Sequence, residues 1–93
     1  MRVFWNAVAW DEFIEWIYTN FEIAKIIFGL IDYLRQRGKL KATKPLIRDL
    51  RGWWEIDIVQ SPTLGSHVLV YRFKDGNLQI LSCSGHYPSN AFF

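Results

Sequence analysis

Apolar positions change their period twice along this chain. Residues 2–5 (RVFW) read as a short opening strand. From Ala7 the spacing turns helical: Trp10, Phe13, Ile14 and Ile17 fall at i, i+3, i+4 and i+7, with Asp11, Glu12 and Glu15 between them. That pattern predicts an amphipathic helix with Asn6 as its N-cap. Thr19 and Glu22 then stand at capping-box spacing, which predicts the start of a second helix. Its stripe of Ile23, Ile26, Ile27, Leu30, Ile31 and Leu34 is expected to form an unbroken core face. Gly38 ends it, behind Arg35 and Arg37 in the last turn, where cations suit the helix dipole.

Beyond Gly38 the helical period is gone. Residues 39–52 form a basic loop in which Pro45 argues against helix. Three strands follow, at 53–59, 67–73 and 78–84. Ser61, Pro62 and Gly65 mark the first connection, and Asp75-Gly76 within the turn 74–77 is a hairpin signal. The order β-α-α-β-β-β predicts one α+β domain over residues 1–93. Two N-terminal helices pack on one face of a mainly antiparallel four-stranded sheet.

Composition sharpens this picture. The chain is 51% hydrophobic and 17% aromatic, with five Trp and seven Phe, which excludes a disordered chain. So many aromatics exceed what one small core holds, and a patch left for a partner is expected. Cys83 is the single cysteine, so no internal disulfide can form, and a reducing compartment is expected. It is expected to be a small buried hydrophobe. With two histidines and no ligand spacing, no zinc site is expected, and no cofactor. Met1 leads straight into strand-like sequence, so no secretory leader is expected. The most apolar run, 23–34, is interrupted by Lys25 and Asp32 and is too short to span a bilayer. A soluble, cytoplasmic protein without membrane contact is expected.

Charge is concentrated rather than large. Net charge is only +2, yet seven of the eleven basic residues lie at 35–51, with Asp49 the only acid among them. Such a segment is either an electrostatic footprint for phosphates or a solvated helix end and loop. The candidate chemistry lies further on, where His86 and Tyr87 follow the last strand.

Four stretches in order resemble the RelE superfamily of bacterial toxins, and within it the YoeB/Txe branch. They are the opening FW and AW pairs (Trp5, Trp10), KPLIRDLRGWW at 44–54, HVLVY at 67–71, and SCSGHY at 82–87. The last is similar to that branch's closing Cys-x-x-His-Tyr. The resemblance covers nearly the whole chain. It implies a ribosome-dependent endoribonuclease that cuts mRNA in the A site and is silenced by a YefM-like antitoxin. The 70S ribosome, mRNA and a second copy of the chain are the other implied partners. The implied chemistry uses no metal: a base deprotonates the ribose 2′-OH, the oxygen attacks the adjacent phosphate, and an acid protonates the leaving 5′-oxygen.

His86 falls where the family has its general acid, a task suited to an imidazole, and Tyr87 where it has a substrate-orienting Tyr. Elsewhere the pattern departs. Lys44 stands where the family has its general-base Glu, Val68 where it has a phosphate-binding Arg, and Asp57 where a further Arg is common. The connection 60–66 is longer than usual, and residues 88–93 continue past the branch's usual end. Glu55 or Asp57 could take over as base, since residues 53, 55 and 57 share a strand face. Lys44 itself, in a cationic loop, is a third candidate. Phosphate binding falls to Lys41, Lys44, Arg48 and Arg51, with Arg72 roughly 13 Å along its strand from Val68. Trp53 is expected to be exposed, stacking on a base or touching the antitoxin. Trp10 and Trp54 are expected in the core, His67 as a structural residue, and Phe92 and Phe93 in a packed or partner-bound end. Two alternatives stay open: a non-catalytic toxin of this fold, acting on a protein target as the ParE branch does on gyrase, and an impaired relative that only binds antitoxin or ribosome.

Overall fold

In the computed structural model, which describes residues 1–46 and 51–84, two helices cover one face of a five-stranded sheet. The elements are β1 (Val3–Trp5), α1 (Ala7–Thr19), α2 (Phe21–Arg37), β2 (Lys44–Pro45), β3 (Trp54–Ser61), β4 (Gly65–Lys74) and β5 (Asn77–Ser82). They lie in the sheet order β1-β5-β4-β3-β2. The β2-β3, β3-β4 and β4-β5 pairs are antiparallel, whereas β1 lies parallel to β5 with Val3 opposite Leu78 and Trp5 opposite Ile80. The four expected strands are thus joined by a fifth, two-residue edge strand. Pro45 sits there without loss, because an edge strand leaves one side of its backbone unpaired.

Asn6 caps α1 as predicted, its side chain accepting from the Val8 N–H at 2.9 Å. The second cap differs from the prediction. Thr19 is the last residue of α1, and its hydroxyl donates to the Glu15 carbonyl at 2.8 Å. Asn20 does the capping instead, at both ends of a one-residue break. Its N–H donates to the Trp16 carbonyl at 2.8 Å, and its side-chain oxygen accepts from Ile23 N–H at 3.4 Å. Glu22 is left to pair with Lys25 at 3.0 Å. Because Asn20 serves two helix ends, Asn20→Ala is expected to cost about 1 kcal/mol, with larger values up to about 2. A chemical-denaturation midpoint read by circular dichroism checks this.

The α2 stripe is narrower than expected. Ile23, Ala24, Ile27, Ile31 and Leu34 are buried, but Ile26 is 44% exposed. At roughly 100° per residue, including Ala24 swings the buried arc away from Ile26. Trp10 is likewise not a core residue: it is 47% exposed and lies edge-on to Trp5 with ring centroids 5.4 Å apart. The main core joins Ile27, Leu34, Leu69, Tyr71, Leu78 and Ile80, with Trp54 packed against it. The surplus aromatics stay on the outer helix surface, where Phe21 and Phe28 line an apolar groove of about 450 Å³.

The β3-β4 connection is tighter than expected, since both strands extend and leave only residues 62–64 between them. Ser61 Oγ accepts from Thr63 N–H and Leu64 N–H, and Gly65 takes φ +80°. The Asp75-Gly76 turn matches its signal, both residues lying at positive φ (54° and 75°), as a type I′ hairpin requires.

Candidate active face of the sheet

The helix-free face carries its own small cluster: Trp53, Val70 and Leu81, joined by Leu46 and Val68. Two consecutive tryptophans straddle the sheet, so Trp54 serves the main core and Trp53 this second one. Trp53 is only 2% exposed, which corrects the expectation of a solvent-facing ring. The Arg72 guanidinium lies 4.1 Å from its centroid, and Arg72 Nε donates to Gln79 Oε1 at 2.6 Å. The buried Trp53 ring therefore carries the Arg72 guanidinium on its face and is not open to stack on a base.

The strand register gathers the other candidates differently. Lys44 of β2 lies opposite Glu55 of β3, Glu55 opposite Val70 of β4, and Val70 opposite Ser82 of β5. Directly opposed residues in an antiparallel pair have Cβ atoms about 5 Å apart, so a lysine and a glutamate face each other across β2 and β3. One row along, Asp57 lies opposite Val68 and accepts from Gln60 Nε2 at 2.9 Å. Beyond Asp57 a bulge shifts the register so that Val59 pairs with His67. Lys41 and Arg51 are exposed at turns. Lys39 covers the Trp54 ring, its Nζ 4.7 Å from the centroid. Arg48, His86 and Tyr87 lie outside the described residues.

Toward His86 the chain leaves β5 through a dense set of contacts. A second bulge lies between Val70 and Tyr71 of β4 and their β5 partners, leaving Leu81 on the helix-free face while Ser82 and Cys83 turn to α1. Cys83 Sγ donates to the Ala9 carbonyl at 3.4 Å, and Trp16 Nε1 donates to the Cys83 carbonyl at 3.0 Å. His67 is structural, as expected. Its Nδ1 lies 2.8 Å from the Ser84 carbonyl, its Nε2 2.7 Å from the Leu64 carbonyl, and its ring stands edge-on to Trp16. Glu12 accepts hydrogen bonds from residues 82–84. The sequence pattern placed it among the polar positions of α1. The signal that could have singled it out is its spacing, i+3 from buried Ala9 and i−4 from Trp16. A cleft of about 250 Å³ opens beside these contacts, lined by Glu12, Glu15, Trp16, Thr19 and Ser84.

Burial pushes the Cys83 thiol up from its ordinary 9.0, and the Glu12 charge adds to the effect. Burial also raises Tyr71, against smaller opposing hydrogen bonds from Thr43 and Leu40. Both groups hold their protons more tightly folded than unfolded. Stability from Cys83 is therefore whole below pH 9.0 and falls as pH rises above it, by about 1.4 kcal/mol per pH unit at most. Thermal midpoints between pH 7 and 10.5 are expected to fall on the alkaline side, less steeply for Cys83→Ala. In the native protein at neutral pH, iodoacetamide is expected to leave Cys83 unmodified, with full reaction after denaturation, as read by mass spectrometry.

Comparison with known proteins agrees with this architecture. The family model for the YoeB-like toxin of bacterial type II toxin-antitoxin systems matches residues 5–87. Toxin YoeB of Escherichia coli K12 is 34% identical over 90 residues, covering 94% of this chain and 100% of that one. The structure of a YoeB/ParE toxin from Agrobacterium tumefaciens superposes with a TM-score of 0.78 at 27% identity, covering 94% of this chain and 100% of that one. A YoeB-YefM complex from Staphylococcus aureus gives a TM-score of 0.78 at 22% identity, over 94% of this chain and 98% of that one.

Proposed function

Because this chain belongs to the YoeB-like toxins of bacterial type II toxin-antitoxin systems, we propose that it acts as a ribosome-dependent endoribonuclease cutting mRNA in the A site. The observation that carries this reading is the register row that runs from Lys44 through Glu55 and Val70 to Ser82, four residues before His86. It sets Lys44 and Glu55 opposite each other on β2 and β3, with β4 alone between Glu55 and β5, the strand that precedes the histidine in sequence.

In this reaction Glu55 takes the proton from a ribose 2′-OH, with Asp57 one row along as the second candidate. The 2′-oxygen attacks the neighbouring phosphorus, the bond to the 5′-oxygen breaks, and His86 gives that oxygen its proton. The products are a 2′,3′-cyclic phosphate and a free 5′-OH. Tyr87 orients the substrate. Lys44, Lys41, Arg48 and Arg51 balance the charge that develops on the phosphoryl oxygens, a task that positioned cations perform well in a water-poor site. No step requires a metal ion. A YefM-type antitoxin and a second copy of the chain are the protein partners, and the cytoplasm, where ribosomes are, is the site of action.

Purified 70S ribosomes programmed with a short message provide the test. Cleavage of the message in the A site, absent from naked RNA, is the expected result. Intact, salt-sensitive co-sedimentation with ribosomes but no cleavage would overturn the enzymatic reading and leave a toxin that acts by binding. Absence of both would leave the gyrase-type alternative.

A further inference from the structure

Beyond Ser82 the sheet no longer holds the chain, yet residues 82–84 are tightly held. Within the described residues, three donors from three successive positions converge on one carboxylate. Glu12 Oε1 accepts from Ser82 Oγ at 3.0 Å and from the Cys83 N–H at 2.9 Å, while Oε2 accepts from Ser84 Oγ. Ala9, Glu12 and Trp16 fall at i, i+3 and i+7, so one stripe of α1 faces this exit. Trp16 takes the Cys83 carbonyl and His67 the Ser84 carbonyl, which leaves the backbone at 83 and 84 tied from both sides. An ionised acceptor makes shorter and stronger hydrogen bonds than a neutral one. Glu12 is only half-buried and contributes no apolar area to the core. Its part in the fold is the path of this segment.

His86 follows Ser84 by two positions in sequence, a span of at most about 7 Å, so the path at Ser84 bounds where the imidazole can lie. Proton transfer is sensitive to that position, since a misplacement of about 1 Å can cost about a hundredfold in rate. We infer that Glu12 is a positioning residue: its carboxylate fixes the exit of β5 and thereby places His86 for the reaction. The inference rests on the ribonuclease reading, and one of its two measurements does not depend on that reading.

The first measurement is amide hydrogen exchange by NMR. In Glu12→Ala the Cys83 amide is expected to exchange at least about tenfold faster, with Leu69 and Ile80 unchanged. The second is single-turnover cleavage at saturating toxin, set against ribosome co-sedimentation. Glu12→Ala is expected to cleave about 10- to 100-fold more slowly, with ribosome affinity within about twofold. Glu12→Gln should recover most of the rate. Its Oε1 still accepts from Ser82 and Cys83, and its amide N–H can donate to Ser84 Oγ. In a His86→Ala background, Glu12→Ala should cause no further loss. An unchanged rate, equal losses in both backgrounds, or affinity falling together with rate would each overturn the inference. If Glu12→Ala does not fold, Ser84→Ala removes only the Oε2 contact and is expected to slow cleavage severalfold; an unchanged rate there overturns it equally. Should the wild-type chain not cleave at all, the ribonuclease reading falls, and Cys83 exchange still decides whether Glu12 holds the segment.

Discussion

His86→Ala is expected to slow A-site cleavage by roughly 10²- to 10⁴-fold, the range that one positioned acid or base supplies, while leaving ribosome co-sedimentation intact. The two effects separate because different side chains carry them. In the proposed function, affinity for a phosphate backbone comes from cations such as Lys41, Lys44, Arg48 and Arg51, and such affinity falls with salt. In the proposed reaction His86 acts when the 5′-oxygen leaves, and its replacement leaves those cations in place. Quantified cleavage and pelleting at one salt concentration decide the matter. If the variant cleaves as fast as wild type, the acid is some other group, and the family's assignment does not transfer to this chain.

Trp53→Ala is expected to produce the largest loss of stability among single changes on the helix-free face, about 3–5 kcal/mol. The ring is 2% exposed, packs with Val70 and Leu81, and supports the Arg72 guanidinium. Its removal leaves a cavity and takes the aromatic face from a partly buried cation. For a domain with 5–15 kcal/mol in total, this is a large share. A fall in thermal midpoint of at least about 12 °C follows from 4–8 °C per kcal/mol at this size, to be read by circular dichroism. Had Trp53 been a surface ring that stacks on a base, its loss would have lowered RNA affinity and left the midpoint in place.

The comparison of Trp53 with Trp54 shows which parts of the structure were legible beforehand. Period-two alternation places the two rings on opposite faces, and that is correct. Alternation cannot say whether the face away from the helices is covered, because the cover comes from Arg72 and Leu81, more than fifteen residues away. The helices were legible in their stripes and in Asn6, less so at Thr19, where an adjacent asparagine supplies a better cap. β2 spans two residues and has no period to detect. Parallel pairing of β1 with β5 joins residues 75 positions apart in sequence (Val3 and Leu78), and no local pattern reports it. Glu12 was hidden for the same reason: on its own helix it resembles any solvated acid, and its role appears only once residues 82–84 lie against it. At the site, the opposition of Lys44 and Glu55 depends on strand register, which the sequence leaves open. His86 and Tyr87, which the family resemblance singled out, and Arg48 of the basic loop lie outside the described residues.

The position of β5 between β1 and β4 also bears on when this protein becomes dangerous to its host. During synthesis, residues 1–76 emerge first and contain both neighbours of β5, but not the strand that joins them. Asn6 N–H has no Ile80 carbonyl to reach, and the Arg2 carbonyl has no Leu78 N–H. Pairing at such long sequence separation forms late and slowly. The sheet stays split until residues 77–82 have been made, so a nascent chain that lacks them cannot yet present the folded surface of the toxin.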